Sequence, residues 1–261
     1  MRERRLVFGE VAELYDSYRP SYPPALVDDL VAMAGLDGGQ AVLEVGAGTG
    51  KATVLFAQRG IPVVAIEPNA EMAAVARRNV SGFDQVTVEE ADFEDWQPHG
   101  RRFPLVISGQ AWHWVTPEVG YAKAHDVLME TGVLAAFWNR VAWEQADVRE
   151  VLTDVYARVG AGLSVDGPMH PANADADVSA DWDGEVAAAA GLDGAEVRHY
   201  EWPQRYTAAG YVGLLGTASE VRLLDEDRRE AFLAAVAHAI EAHGEPVIVP
   251  MRTRLCLARR V

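Results

Sequence analysis

The chain has 261 residues, 49% hydrophobic and 24% charged, which is ordinary globular usage and excludes disorder as the dominant state. A formal charge of −16 repels phosphate backbones and anionic membrane surfaces, so neither a nucleic acid nor a membrane is the expected partner. The single cysteine, Cys256, excludes a disulfide scaffold and fits a reducing compartment, and nothing approaches the ~18 uninterrupted apolar residues of a membrane span. Glu10, Glu13 and Asp16 interrupt any apolar run after the basic start, so the expectation is a cytoplasmic protein without a leader.

Pro23-Pro24 opens a helix whose apolar positions Leu26, Val27, Leu30, Val31 and Ala34 keep helical spacing up to Gly35. Residues 41–45 then read as a short buried strand, Lys51 to Arg59 as a helix, Val63 to Ile66 as a second strand and Ala70 to Asn79 as a helix. A third strand over Gln85 to Glu90, a fourth over Leu105 to Ile107 and a helix from Pro117 to Met129 follow. Thr131-Gly132 turns into a fifth strand, Val133 to Trp138. Strands alternating with helices of this length imply a doubly wound, mostly parallel α/β sheet.

The later part is organised differently. Residues 144–160 read as a helix, and Gly160 to Asp183, rich in Gly, Pro, Ala and Asp, as a long loop of the kind that serves as a lid. A sixth strand near Glu196 to Trp202, helices after Thr207 and from Asp225 to His243, and a strand over Val247 to Leu257 complete the chain. The last strand is expected to run antiparallel and close a seven-stranded sheet. No linker separates two cores, so residues 1–261 read as one domain. It divides into an N-terminal helical segment (1–36), a ligand-binding core (37–140), a lid and second-ligand region (141–245) and the closing strand (246–261).

Glu44-Val45-Gly46-Ala47-Gly48-Thr49-Gly50 lies where the first strand hands over to a helix. Glycines there let a ligand press against the backbone, and the helix N-terminus beyond offers free N–H groups. A phosphate-cradling P-loop needs four residues between its glycines and Ser or Thr after the lysine, whereas three intervene here and Ala52 follows Lys51. A dinucleotide fingerprint needs glycine where Lys51 stands, which weakens but does not remove a nicotinamide-dependent oxidoreductase. Glu67 lies 21 residues after Gly46 at a strand tip, where a carboxylate can accept two ribose hydroxyls.

Val42 to Gly50 resembles motif I of the class I S-adenosylmethionine-dependent methyltransferases, and Glu67 resembles their motif II acid. Ala91-Asp92-Phe93 resembles the loop that holds the adenine, and Ser108 to Trp114 resembles the A-x-H-W segment of a small-molecule subgroup with ubiquinone/menaquinone- and trans-aconitate-methyltransferase-like domains. The opening Tyr15-Asp16-x-x-Arg19-Pro20-x-Tyr22-Pro23 resembles that subgroup's first helix. The likeness covers residues 8–140 well and the rest only in layout. It implies a Rossmann-like fold and methyl transfer from S-adenosylmethionine to a small organic acceptor, leaving S-adenosylhomocysteine.

On that resemblance, Glu44, Gly46, Ala47, Gly48, Thr49 and Gly50 take the amino-acid end of the cofactor, with carbonyls near Gly109 and Gln110 on its amino group. Arg19, with Tyr15 beside it, is the candidate cation for its carboxylate. Glu67 holds the ribose, Pro68 ends the strand, and Asp92 and Phe93 hold the adenine. Met72 fits an apolar contact with adenine or simple core filling equally well. Trp112, Trp114 and Trp138 are candidates for an aromatic acceptor wall, although any one tryptophan is more often core. His113 is either a general base or a structural histidine. No metal-ligand spacing is present. The acidic residues Asp166, Asp175, Asp177 and Asp181 of the lid point weakly to a cationic or amine acceptor. A non-catalytic S-adenosylmethionine-binding protein remains a third reading. Oligomeric state is not encoded in any of these patterns.

Overall fold

Strands β1 (Val42–Val45), β2 (Val63–Ile66), β3 (Val86–Glu89), β4 (Phe103–Gly109), β5 (Leu128–Val141), β6 (Leu192–Tyr206) and β7 (Val247–Arg260) form a single sheet in a computed structural model that describes residues 12–37, 39–167, 169–173 and 181–261. Their order is β3-β2-β1-β4-β5-β7-β6. The first five pair in parallel, and β7 is antiparallel to both of its neighbours. The central strands are short and apolar because both faces are covered by helices. Val42 faces a core with Leu26, Leu30 and Phe56, while Leu43, one residue on, faces the opposite core with Phe93, Trp112 and Trp138.

Helices α1 (Ala12–Tyr18), α2 (Pro24–Met33), α3 (Lys51–Ala57), α4 (Ala70–Asn79) and α5 (Pro117–Val127) flank this half. After β1 the chain moves outward to β2 and β3, then returns to place β4 on the other side of β1. Loops leaving the C-terminal ends of β1 and β4 therefore diverge and open a crevice, the usual ligand position in such sheets.

The C-terminal half adds α6 (Arg149–Val159), α7 (Trp182–Ala188), α8 (Ala208–Gly216), α9 (Ser219–Arg222) and α10 (Glu226–His243). Tyr156, Tyr211, Leu215, Phe232, Val236 and Ile240 build a further buried cluster there, against the ends of β6 and β7.

Four sequence expectations change. β7 does not close the sheet at its edge but lies between β5 and β6. β5 begins before the Thr131-Gly132 turn, which becomes an irregularity within the strand: Thr131 takes φ 62°, and the register with β4 shifts between Phe103 and Leu105. The helix expected over 144–160 divides into a 3-10 turn, Trp143–Gln145, and α6. The expected lid is shorter than 160–183 because α7 begins at Trp182, whose indole is buried and donates from Nε1 to the Leu257 carbonyl at 3.0 Å. Residues 174–180 of that segment, with Asp175 and Asp177, lie outside the described residues, as do residues 1–11. No described helix is long and apolar enough to cross a membrane.

Candidate active site

Gly46, Gly48 and Gly50 all take positive φ, at 70°, 58° and 82°. This left-handed conformation costs glycine little and lets the chain reverse within five residues. Gly46 is further restricted, because a Cβ there would stand 2.4 Å from that of Ala111. The Gly46 and Ala47 N–H groups donate to the Ile66 carbonyl at 2.9 and 3.0 Å, which ties the turn to β2. Above Gly48 an added Cβ would meet nothing within 4 Å, so the bend faces open space.

The Glu67 carboxylate spans this bend and the start of the next helix. Oε2 accepts the Gly48 N–H at 2.8 Å, and Oε1 accepts the Asn69 N–H at 2.9 Å. Asn69 caps α4, its side-chain oxygen accepting the Met72 N–H at 2.9 Å. Glu67 is 7% exposed, so its carboxylate oxygens need hydrogen-bond donors such as these.

Two cavities share Gly46 and Gly48 in their walls. The smaller, about 130 Å³, is walled by Glu67, Pro68, Asn69 and Met72 on one side and by Asp92 and Phe93 on the other. The larger, about 480 Å³, takes in Arg19, Glu44, Ala47, Thr49 and His113, and continues to Asn139, Arg140 and Met251. Tyr15, Gly109, Gln110 and Trp114 border both. Gly50 stands just behind the wall, at the N-cap of α3. Gln110 holds φ 60°, and this bend carries the chain away from β4 beneath the cavities, its N–H donating to the Phe137 carbonyl at 2.8 Å. A left-handed non-glycine residue of this kind costs of order 1 kcal/mol and gathers at functional sites.

Glu44 is a carboxyl inside an otherwise apolar strand. Burial pushes it up to about 8, helped by the nearby Glu67 charge and opposed by the Thr53 hydroxyl, which donates to Oε2 at 2.6 Å. The Thr49 hydroxyl is buried without a hydrogen-bond partner among the described residues, so the wall carries spare polar capacity. The Arg19 guanidinium lies over the Tyr15 ring, 5.4 Å from its centroid, and donates from Nε to Thr217 Oγ1 at 2.7 Å.

Two of the three tryptophan expectations are corrected, and His113, read as either a base or a structural histidine, makes a contact that bears on that choice. Trp112, at 4% exposure, packs against Phe93 and Tyr121 in the core and lines neither cavity. Trp138, at 2%, is also core, and its indole Nε1 donates to His113 Nδ1 at 3.1 Å. That contact bears on His113 too. With Nδ1 accepting, the neutral ring carries its proton on Nε2 and offers an N–H rather than a lone pair, the reverse of what a general base needs. Of the three tryptophans only Trp114 reaches the cavities. Among the described residues, no group of three or more His, Cys, Asp or Glu could hold a metal ion.

Sequence reasoning missed Asn69, Asn139 and Arg140. Asn69 was findable from the rule that Asn precedes a helix it caps. Asn139 and Arg140 carry no local signal. Asn139 Nδ2 donates to the Ser21 carbonyl at 2.8 Å and its Oδ1 accepts from Thr253 Oγ1 at 2.6 Å, so only tertiary contact reveals its part in holding the cavity wall.

Comparison with known proteins agrees with this geometry. Residues 42–132 match the model of a methyltransferase domain. An uncharacterized methyltransferase of Mycobacterium tuberculosis is 36% identical over 165 residues, 61% of this chain and 62% of that protein, so the match spans about three-fifths of such relatives. A Saccharomyces cerevisiae protein assigned as an S-adenosylmethionine-dependent methyltransferase is 28% identical over 56% of this chain and 50% of its own. Among solved structures, one assigned as a type II methyltransferase from Anaeromyxobacter dehalogenans superposes with a TM-score of 0.64 at 23% identity, covering 93% of this chain and 97% of that one. A phosphoethanolamine N-methyltransferase from Haemonchus contortus, solved with phosphomonomethylethanolamine and S-adenosylhomocysteine, shares the fold at a TM-score of 0.55 and 12% identity, over 97% of this chain and 57% of its own. The domain match begins at β1, and over that stretch, where the sheet order, the glycine turn and the strand-tip acid are in place, the chain is similar to methyltransferases.

Proposed function

We propose that the protein transfers a methyl group from S-adenosylmethionine to a small organic acceptor. The observation that carries this reading is the Glu67 carboxylate, held at the mouth between β1 and β4 by the N–H groups of Gly48 and Asn69. A carboxylate so fixed keeps lone pairs for a ribose diol while its partners set its direction. Asp92 and Phe93 across the smaller cavity suit a purine amino group and face, and Met72 gives the apolar floor. On the other side of Gly48, Glu44 meets an α-ammonium, and Arg19 meets a carboxylate. When bound, the cofactor supplies a methyl group already activated by a sulfonium charge.

The chain's own contribution is to bind, align and keep water out. Tyr15 and Trp114 border both cavities. The division into a cofactor core over 37–140 and an acceptor region over 141–245 belongs to the same proposal, and Ser164, Met169, Leu214 and Glu220 on the larger cavity support it. A charge of −16 favours a small molecule over a nucleic acid as acceptor, and the one buried cysteine, Cys256, suits a cytoplasmic setting.

Calorimetric titration with S-adenosylhomocysteine and NADH side by side tests the reading. Saturable binding of the thioether without NADH binding is expected. Uptake of NADH with none of the thioether overturns it in favour of a nicotinamide enzyme.

A further inference from the structure

We propose that Gln110 orients the acceptor, whose nucleophile is an uncharged amine nitrogen giving its N–H to Gln110 Oε1; this rests on the methyl-transfer reading of the same site. Gln110 follows Gly109, the last residue of β4, and borders both cavities. Its carboxamide is turned one way. Nε2 donates to the Asn139 carbonyl at 3.3 Å, and a carbonyl only accepts, so the nitrogen faces β5 and Oε1 is left for the space that Gln110 walls. The same carbonyl accepts Arg140 Nη1 at 2.8 Å, which takes up its second lone pair. Among the described residues, no hydrogen bond reaches Gln110 Oε1.

The platform under this amide is fixed. Gln110 holds its left-handed φ of 60° with its N–H on the Phe137 carbonyl, and Asn139 is pinned through its side chain to Ser21 and Thr253. Gly109 is wedged, because a Cβ there would stand 2.5 Å from the Tyr22 hydroxyl and 2.8 Å from the Phe137 ring. An amide oxygen accepts and has no hydrogen to give, so the atom it meets brings one, which a carboxylate or thiolate does not. The amide is no base either, and the His113 Nδ1 lone pair is engaged by Trp138, so a hydroxyl, which has to lose its proton on methylation, finds no base in these two groups.

An amine needs none. Its nitrogen lone pair forms the bond to the methyl carbon, the carbon–sulfur bond breaks with its pair returning to sulfur, and the positive charge passes from sulfonium to the methylated ammonium. The N–H stays on Oε1 throughout, and one proton leaves to water afterwards. That hydrogen bond strengthens as charge builds on nitrogen, so Oε1 favours the transition state over the bound amine.

The acidic residues of the expected lid have no part in this. Asp166 and Asp181 are exposed and absent from the cavity wall, and Asp175 and Asp177 lie outside the described residues.

Calorimetry on protein saturated with S-adenosylhomocysteine tests the proposal with benzylamine, N,N-dimethylbenzylamine and benzyl alcohol, whose ring suits the apolar wall of Val141, Leu214 and Met251. Benzylamine affinity is expected to rise about tenfold per pH unit between about pH 7 and 9, as free base replaces ammonium. Benzyl alcohol does not titrate there and corrects for the charged groups of the wall, Glu44, Glu220, His113, Arg19, Lys51 and Arg140. At about pH 9, benzylamine should bind at least about tenfold more tightly than N,N-dimethylbenzylamine, whose uncharged nitrogen has no hydrogen. Gln110→Met keeps the volume and removes the acceptor, so that ratio should fall about tenfold. Gln110→Glu presents a carboxylate that prefers the ammonium, so the rise with pH should vanish, which a merely structural Gln110 would not cause. A cooperative thermal melt shows that each variant is folded. With S-adenosylmethionine as donor, benzylamine should be methylated at least about tenfold faster than benzyl alcohol. Equal affinity for the two amines, benzylamine affinity that is flat with pH, an unchanged ratio in Gln110→Met, or methylation of the alcohol at the amine's rate or of neither overturns the proposal. Failure of the wild type to take up S-adenosylhomocysteine is a different result, which sinks the cofactor reading; the binding comparison is then read on the unloaded chain, where the same binding outcomes decide.

Discussion

Glu67 Oε2 accepts the Gly48 N–H at 2.8 Å, so the acid at the tip of β2 and the glycine bend after β1 move as one unit. Glu67→Ala removes the proposed ribose acceptor and leaves the Gly48 and Asn69 N–H groups without this acceptor at once. Affinity for S-adenosylhomocysteine should fall about tenfold or more, ~1.4 kcal/mol. Stability should fall by about 1–3 kcal/mol, the usual cost of an orphaned buried donor. Glu67→Gln should not rescue fully, because its amide presents N–H to one of two donors. Calorimetry and urea unfolding check both effects, and an unchanged dissociation constant in Glu67→Ala removes the ribose assignment.

On the proposed reading, Glu44 ties cofactor binding to pH. Its carboxyl stands at about 8 in the folded chain against 4.5 as the ordinary value, so between those values the folded state holds a proton that the unfolded state has lost. Its contribution to stability is therefore lost progressively as pH rises through that window and levels off above about 8. Glu44→Gln keeps an acceptor for Thr53 and should flatten the fall in melting temperature between pH 5 and 8 relative to wild type. An α-ammonium beside Glu44 favours its ionised form, so S-adenosylhomocysteine should release a proton on binding below pH 8 and bind more tightly as pH rises toward 8. Calorimetry at pH 7 in buffers of different ionisation enthalpy measures that release, and its absence would place Glu44 away from the ammonium.

The Trp138–His113 contact predicts a tautomer. Neutral His113 should carry its proton on Nε2, a state that ¹⁵N NMR distinguishes directly, and Trp138→Phe should let the proton redistribute. A ring found protonated on Nδ1 in the wild type would restore His113 as a candidate base.

Trp182 should matter for stability rather than for ligand binding. It is fully buried, far in sequence from the strand it bonds, and Trp182→Ala should cost about 3–5 kcal/mol by urea unfolding, with Trp182→Phe costing less, about 1–2 kcal/mol for the hydrogen bond to Leu257 and a smaller void. Equal losses in the two variants would show that the indole N–H, not the packing, anchors α7.

What the sequence disclosed and what it hid follow from how far each signal reaches along the chain. The β1 to α4 stretch was legible to within about two residues because apolar runs alternate with glycine stops and every covering helix is a sequence neighbour. α7 was hidden, since Gly, Ala and Asp around it read as loop and one tryptophan finds its partner on β7. Trp112 and Trp138 misled because aromatic residues serve a core and a binding wall with the same chemistry, and only burial separates them. Arg140 was invisible for the opposite reason: a charged residue ending a strand reads as solvated until the Arg19 side and the C-terminal helices close around it.

A crystal soaked with S-adenosylhomocysteine gives the decisive view. Both ribose hydroxyls should lie within hydrogen-bond reach of Glu67, with the sulfur turned toward the chamber that holds Arg140. Density for the nucleoside on another face of the sheet, or with Glu67 untouched, would contradict the assignment.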